Sequence, residues 1–205
     1  AVQNNIPFLY VKNINDEESI SFIKKQNPDV IYCFGWSQLI KKEILEIPKL
    51  GVIGTHPAEL PHNRGRHPII WALALGLEKT AASFFRMDEK ADTGDIIAQE
   101  IVPIYYDDYA IDLYNRIESV ECNLILKFTE ELENGTNTPI IQHSGEGNSW
   151  RKRSRVDGLI DWRMSSRAIY NLVRALSRPY PGAEFKANDE YITVWRDEEI
   201  VTEEY

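Results

Sequence analysis

The sequence predicts an α/β protein built on an open, mainly parallel sheet with flanking helices. Residues 29–34 and 50–54 are continuous apolar runs, as expected of strands that are buried on both faces. Helical patterns precede and separate these runs, and an alternating strand–helix order favours parallel strands joined by right-handed crossovers. Hydrophobic residues make up 43% of the 205 residues, which is enough to form a core and excludes a disordered chain.

Local patterns predict the elements of the first quarter. Residues 7–11 are a short apolar run and predict a first strand. Asn15 precedes three acidic residues and predicts the N-cap of a helix that ends before Pro28. Residues 41–47 predict a short helix that is stopped by Pro48.

A loop rich in Pro, His and Arg occupies residues 55–68, and regular elements resume after it. Two weakly alternating segments separated by a polar turn predict a hairpin, and residues three or four apart form apolar stripes on two later helices. The predicted elements are a helix over 69–75, strands over 80–87 and 96–104, helices over about 108–133 and 166–176, and a final strand over 191–195.

Composition excludes several classes of function. The net charge of −9 argues against a nucleic-acid binder and against an anionic membrane surface, since both need an excess of Lys and Arg. No apolar run is long enough to cross a membrane, and no signal peptide is visible, so we expect a cytoplasmic protein. Cys33 and Cys122 lie in apolar stretches and are interpreted as core residues, with a single disulfide as the alternative. The sequence has no initial Met, so the chain is also read as an excerpt of a longer one.

The charge is unevenly distributed along the chain. Residues 1–150 carry a net charge of −9, residues 151–182 carry +6, and residues 183–205 carry −6. The basic segment begins at Arg151 and includes Arg174 and Arg178. Arginine forks suit a diphosphate, so this segment predicts a strip that binds a small anion; a solvated helix face is the alternative.

Two loops concentrate residues that can carry chemistry. His56, His62 and His67 lie within twelve residues, and three aspartates fall within residues 88–95. We expect both loops at the carboxyl ends of strands, where sites collect in open α/β sheets. One histidine paired with one aspartate would form an oriented base. A zinc site is a second interpretation, although neither spacing matches a common metal motif, and a solvated turn is the third.

Four segments resemble one known family. Residues 54–69, GTHPAELPHNRGRHPI, resemble the His-Pro-x-x-Leu-Pro-x-x-Arg-Gly-x-x-Pro-Ile loop of the formyltransferases that use 10-formyltetrahydrofolate. Residues 87–96, MDEKADTGDI, resemble the second loop of that family. Residues 157–162 and 173–183 are similar to segments of the sugar N-formyltransferases. The resemblance implies the Rossmann-like formyltransferase fold over residues 1–182, with residues 183–205 as the start of a small C-terminal β subdomain or tail.

The resemblance implies that an amine attacks the formyl group of N10-formyltetrahydrofolate, used as a co-substrate without a metal. His56 matches the family's catalytic histidine and Asp92 its aspartate. Gly54 stands where the family has an asparagine that is credited with binding the oxyanion, so protonated His56, Thr55 or a backbone N–H would have to replace it. Family members also open with a strand, a helix and a strand that this sequence lacks.

The resemblance also implies which residues bind ligands. Main-chain groups of Trp36, Ser37, Gln38, Leu39 and Ile40 are expected around the pterin, with Asp88, Lys90 and Asp92 closing over it. The substrate amine is expected to meet His62, Asn63, Arg64, Arg174 and Tyr180. Arg64 is equally well interpreted as a structural residue, and His67 is interpreted as one.

The acceptor implied by these matches is the amino group of a nucleotide-linked amino sugar, a small molecule used in the biosynthesis of a surface glycan such as lipopolysaccharide. Methionyl-tRNA formylation is the less favoured alternative, because the 24 residues after Pro181 are acidic and a tRNA needs a basic surface. A catalytically impaired binding module and a metal-dependent hydrolase also stay open. The sequence leaves the oligomeric state undecided, a homodimer included.

Overall fold

A computed structural model describes residues 4–36, 38–143 and 145–200 of the chain. Its helices and strands alternate over most of the length, with two small strand pairs outside the central sheet. In chain order the elements are α1 (Glu17–Gln26), β1 (Ile31–Cys33), α2 (Lys42–Leu45), β2 (Val52–His56), β3 (Arg64–Gly65), α3 (Pro68–Ala74), β4 (Lys79–Arg86), β5 (Ile96–Pro103), α4 (Ala110–Glu133), β6 (Ser149–Trp150), α5 (Ser166–Leu176), β7 (Ala183–Ala187) and β8 (Glu190–Val194).

The central sheet has the strand order β1-β2-β4-β5, and the α/β class with an open sheet and flanking helices is confirmed. The predicted parallel pairing is found between β1 and β2, where Cys33 lies opposite Gly54. β4 pairs antiparallel with β2 and with β5, so the predicted hairpin is confirmed. After β2 the chain passes through a loop and the short α3 and starts β4 at the same end of the sheet, so β4 runs antiparallel to β2.

Helix α4 covers one face of the sheet with the apolar stripe that its sequence predicts. Its Leu113, Ile117 and Phe128 are buried in the main core. The ring of Phe128 lies 4.9 Å from that of Phe84 on β4. Each side chain of this size contributes about 1.5–3 kcal/mol when it leaves water. The hydroxyl of Tyr32 on β1 also forms a hydrogen bond with the hydroxyl of Thr129 on α4, at 2.7 Å.

The strand predicted over residues 7–11 is wrong, since this segment has no regular structure. Tyr10 is 92% exposed, and the ring of Phe8 packs against that of Tyr10 rather than on a sheet. The N-cap of α1 is Asp16, whose Oδ1 accepts a hydrogen bond from the Ser19 N–H at 2.8 Å. Its predicted neighbour Asn15 instead donates to the Leu39 carbonyl at 2.9 Å. A short apolar run forms a strand only where a neighbouring strand accepts it, and the described sheet offers none here.

Two strand pairs outside the central sheet were not predicted as pairs. β7 and β8 form an antiparallel hairpin, of which only β8 was predicted. β3 and β6 form a parallel pair of two residues each, with Gly65 opposite Trp150. A Cβ on Gly65 would lie 2.2 Å from the Trp150 carbonyl oxygen, so the close approach of these segments requires glycine. This pair brings residues 145–150 alongside the loop that follows β2.

The two cysteines are free and occupy different environments. Cys33 at the end of β1 is partly buried, and this burial raises the pKa of its thiol. Cys122 is exposed on α4, so its prediction as a core residue is wrong. Among the described helices, none combines the length and the apolar character that a membrane crossing requires.

Candidate active site

His56 is the last residue of β2 and is buried, with 5% of its surface exposed. Its Nε2 lies 2.8 Å from the main-chain carbonyl oxygen of Asn63. Because a carbonyl only accepts hydrogen bonds, Nε2 must carry the hydrogen, which leaves the lone pair of the neutral ring on Nδ1. Asn63 presents this carbonyl from a left-handed conformation, at φ 62°. The loop therefore fixes both the orientation and the tautomer of the imidazole.

Asp92 faces the free nitrogen of His56. Its Oδ2 lies 3.7 Å from Nδ1 and accepts a hydrogen bond from the Gly65 N–H at 2.8 Å. Asp92 is itself left-handed, at φ 59°, and its carbonyl oxygen accepts hydrogen bonds from Arg64 and Gln142. A carboxylate at this distance stabilises the positive charge that forms when Nδ1 takes a proton. The predicted pair of one histidine and one aspartate is present.

The two loops follow strands that run in opposite directions. β4 is antiparallel to β2, with Arg86 opposite Ile53, so the carboxyl end of β4 lies at the other edge of the sheet from His56. The connection over residues 87–95 reaches the site by folding back across the face of β2 that carries Gly54 and His56. Both loops therefore follow the carboxyl ends of strands, as expected, but these two ends lie at opposite edges of the sheet.

Gly54 lies on the same face of β2 as His56, two residues before it. A Cβ at this position would lie 3.1 Å from Met87 Cγ, 3.1 Å from Phe85 Cζ and 3.2 Å from Met87 Sδ. Met87 thus fills the space into which a side chain from position 54 would project. The absence of a side chain at Gly54 and the position of Met87 are two aspects of one packing arrangement.

Thr55 points to the opposite face, toward α4. Its hydroxyl donates to Glu121 Oε1 at 2.5 Å. Burial raises the pKa of Glu121, and the Thr55 hydrogen bond partly offsets this effect. Since the hydroxyl is committed to Glu121, Thr55 does not replace the missing asparagine as an oxyanion donor. Neither this pair nor its role as a tie between β2 and α4 was predicted.

The loop expected around the pterin begins beside His56, because β1 and β2 are parallel and Cys33 pairs with Gly54. Trp36 is 43% exposed and Leu39 is exposed as well. The Gln38 side chain is occupied, since it accepts from the Ile14 N–H at 3.0 Å and donates to the Lys12 carbonyl at 2.8 Å. Ile40 is buried, and Ser37 lies outside the described residues. Trp36 and Leu39 are thus exposed apolar side chains in the described part of this loop.

The second predicted binding loop is braced from within. Asp88 accepts hydrogen bonds from the Thr93 hydroxyl, at 2.8 Å, and from the Lys90 N–H, at 2.9 Å. The Lys90 side chain is exposed. This loop and residues of the 142–145 segment line a polar cleft of about 570 Å³, with Arg64 at its wall.

Arg64 holds the loops together. Its Nε donates to the Asp92 carbonyl at 3.1 Å, its Nη2 to Gln142 Oε1 at 2.7 Å, and its Nη1 to the Glu146 carbonyl at 3.0 Å. The geometry therefore favours the structural interpretation of Arg64. Asn63 is tied in a similar way, since its N–H donates to Asn148 Oδ1 at 2.8 Å. His62, by contrast, is exposed on the same loop.

Arg174 and Tyr180 lie apart from this cluster. Arg174 is 4% exposed, and its Nη1 donates to the carbonyls of Tyr105, Tyr106 and Asp108 at 3.0, 3.3 and 3.2 Å. The prediction of Arg174 as a substrate contact is therefore corrected, because its Nη1 binds main-chain carbonyls of the segment that precedes α4. Tyr180 lines a separate cavity of about 470 Å³.

The predicted anion-binding strip is neutralised by contacts within the chain. Arg151 pairs with Asp157, and Arg155 Nε lies 2.7 Å from Glu184 Oε2. These pairs lower the pKa of Asp157 strongly and raise that of Arg155. Arg178 lies over the Trp195 ring at 4.8 Å. The local charge of +6 therefore does not correspond to a row of free guanidinium groups.

His67 is a structural residue, as interpreted from the sequence. Its Nδ1 accepts a hydrogen bond from the Arg153 N–H at 3.2 Å, and burial together with the nearby cationic groups lowers its pKa. In the part of the chain that the structure describes, no group of three His, Cys, Asp or Glu side chains is arranged to hold a metal ion.

Comparison with known proteins gives two family matches. The model of the formyl transferase family matches residues 3–129, and that of the formyl transferase C-terminal domain matches residues 152–205. The resemblance stated from the sequence motifs is confirmed.

Individual relatives of the chain carry different names. The chain is 36% identical over 196 residues to the methionyl-tRNA formyltransferase of Clostridioides difficile and 34% identical over 196 residues to the bifunctional polymyxin resistance protein ArnA of Wigglesworthia glossinidia brevipalpis. These matches cover 96% of the chain, which spans 63% and 30% of the two relatives. A solved 4-N formyltransferase from Francisella tularensis is 26% identical with a TM-score of 0.74, over 84% of this chain and 72% of that one.

Proposed function

Since the chain belongs to the formyl transferase family, we propose that it transfers a formyl group from N10-formyltetrahydrofolate to the amino group of a nucleotide-linked amino sugar. The observation that carries the proposal is the pairing of His56 with Asp92 at the end of β2. We assign this chemistry to residues 1–182 and interpret residues 183–205 as the start of a small β subdomain.

His56 acts as the proton acceptor for the attacking amine. The nitrogen of an amine loses a proton as it bonds to the formyl carbon, and Nδ1 offers the only lone pair on the neutral ring because Nε2–H is held by Asn63. Asp92, whose Oδ2 lies 3.7 Å from the same Nδ1, then stabilises the positive charge of the imidazolium. The same imidazolium supplies the proton that the leaving nitrogen needs.

Position 54 leaves the oxyanion to other donors. The Thr55 hydroxyl is committed to Glu121 and Nε2–H of His56 to Asn63. The donors that we propose instead are the protonated Nδ1 of His56 and main-chain N–H groups of the surrounding loops. Because one oxyanion donor is worth about 2.7–4 kcal/mol, we expect this chain to work more slowly than relatives with the asparagine.

The residues present fit a folate co-substrate. Trp36 and Leu39 offer exposed apolar surface at the edge of the sheet beside His56, where a pterin ring could pack. When bound, the co-substrate supplies the activated formyl carbon. The protein's part is to hold the amine at His56 and to exclude water with the loop over residues 87–95.

Surface charge supports a small acceptor over a tRNA. The arginines of the basic segment are paired or stacked within the chain, as Arg151, Arg155 and Arg178 show. A tRNA acceptor needs free cations for phosphate contacts, and the chain as a whole carries −9. We keep methionyl-tRNA formylation as the second candidate, because the Clostridioides difficile enzyme of that name is 36% identical.

The test is an assay of N10-formyltetrahydrofolate with a panel of nucleotide-linked amino sugars and with charged initiator tRNA. We expect turnover with a sugar, and H56A and D92N should lower kcat by roughly 10²–10⁴-fold. D29N serves as the matched control, because Asp29 pairs with Lys49 on the surface. Folate binding without turnover would support a binding module, and inactivation by a chelator would support a metal-dependent hydrolase. Turnover with tRNA alone would support the second candidate.

A further inference from the structure

Gln142 joins the two loops of the site through both ends of its amide. Its Oε1 accepts hydrogen bonds from Arg64 Nη2 at 2.7 Å and from Arg64 Nε at 3.2 Å. Its Nε2 donates to the Gly94 carbonyl at 2.6 Å and to the Asp92 carbonyl at 3.2 Å. The amide thus binds a donor group on the first loop and two acceptors on the second.

The arrangement requires an amide rather than another polar group. The guanidinium of Arg64 only donates and the carbonyls of Asp92 and Gly94 only accept, so the bridging group must do both. A carboxylate of the same size would keep its contact with Arg64 but would turn an oxygen toward two carbonyl oxygens. A glutamine amide is the side chain that satisfies both partners at this length.

We propose that Gln142 is a positioning residue for Asp92, acting through the Asp92 main chain. Asp92 occupies a left-handed backbone conformation, at φ 59°, which is uncommon for residues other than glycine although aspartate adopts it more readily than most, and hydrogen bonds at its carbonyl support it there. Arg64 and Gln142 provide that support at the Asp92 carbonyl, and the Gly65 N–H aligns the carboxylate. This inference rests on the proposed role of Asp92 in catalysis.

The support comes from a part of the chain that is distant in sequence. Gln142 lies 50 residues after Asp92, and its segment is fixed to the first loop by Arg64 and by the pairing of β3 with β6. Arg64 Nη1 also donates to the Glu146 carbonyl, at 3.0 Å. Residues 142–143 and 145–150 thus form a clamp, and Gln142 is the point at which this clamp holds Asp92.

The activity test compares Q142A and Q142E with N137A in the full chain. Asn137 is a matched control, because its amide, five residues before Gln142, donates to the Ile97 carbonyl and to Glu131 and has no hydrogen bond to Asp92. We expect Q142A and Q142E to lower kcat by roughly 10- to 100-fold with KM for folate little changed, since misplacement of a catalytic group costs this much. N137A should keep the wild-type kcat. Wild-type kcat in Q142E would overturn the proposal.

A second measurement does not depend on turnover. The Gly65 N–H bonds to the Asp92 carboxylate, so its NMR chemical shift and hydrogen-exchange rate report the position of that group. We expect Q142A and Q142E to move the Gly65 signal toward its position in D92A, and N137A to leave it in place. An unmoved Gly65 signal would overturn the proposal even if kcat fell. If the wild type turned over no amine, the proposed function would fail while this measurement still decided the role of Gln142.

Discussion

Restoring a side chain at position 54 tests whether Met87 and Gly54 are packed as one unit. The change is Gly54→Asn, alone and together with Met87→Ala. Gly54 has no positive φ, so its backbone accepts an L-residue, and the cost arises from packing alone. We expect G54N to be destabilised and the double variant to recover much of the loss.

The magnitude follows from the distances. The new Cβ would lie 3.1 Å from Met87 Cγ and from Phe85 Cζ, where carbon atoms ordinarily stay about 3.5–4.0 Å apart, and the amide adds three further heavy atoms. Overpacking of this kind costs about 1–3 kcal/mol. M87A alone should cost about 2 kcal/mol, at the lower end for truncation of a methionine that is only partly buried. Because the truncation opens the space that the introduced asparagine needs, we expect the two changes to couple by about 1–2 kcal/mol.

Urea unfolding of the wild type, both single variants and the double variant at pH 7 measures this coupling. Changes that add within about 0.5 kcal/mol would refute the reasoning, since independent sites behave in that way. The same four proteins test the proposed chemistry. We expect the double variant to show a higher kcat than M87A. The increase should be at most roughly 10²-fold, which is the effect of one oxyanion donor. An equal kcat would mean that an asparagine at this position does not reach the reacting group.

Two further predictions concern buried ionisable side chains. Burial raises the pKa of Glu121, so ionisation of this group destabilises the fold as pH rises through the raised value; E121Q should be more stable than wild type at pH 8 and equal to it near pH 4. Urea unfolding at both pH values checks this, and a pH-independent difference would contradict it. R174A leaves three carbonyls without their donor and should lose about 3 kcal/mol of stability while KM for the sugar stays within about twofold. A raised KM at unchanged stability would instead restore Arg174 as a substrate contact.

Most of the fold was predictable because its signals are local. The stripe of α4 and the run that forms β1 depend on the spacing of apolar residues within one element. The same signal misled at residues 7–11, because an apolar run becomes a strand only beside a partner. The pair of β3 with β6 was missed because two-residue strands have no periodicity, and their pairing is decided by tertiary contacts. β7 was missed as well, although it has five residues.

The site was predictable where motif residues themselves carry the chemistry. His56 and Asp92 were identified from two short motifs, and the structure brings them within 3.7 Å. Gln142 carries no motif, because its role depends on contacts with Arg64 and Asp92 that lie 78 and 50 residues away in sequence. Arg174 shows the opposite error: its charge suggested a phosphate, whereas its burial commits every named donor to the chain itself.

The clamp formed by residues 142–143 and 145–150 is held more weakly than the rest of the molecule. The segment is joined to the first loop by a two-residue strand pair and a few side-chain hydrogen bonds, whereas the sheet and α4 are joined by a continuous apolar core. Elements with so few buried contacts open locally, at a small fraction of the free energy of global unfolding. Heat or mild denaturant should therefore release Asp92 while the rest of the molecule is still native. Inactivation and unfolding are then two separate events, and a melting temperature measured on the whole chain overstates the temperature at which the site survives.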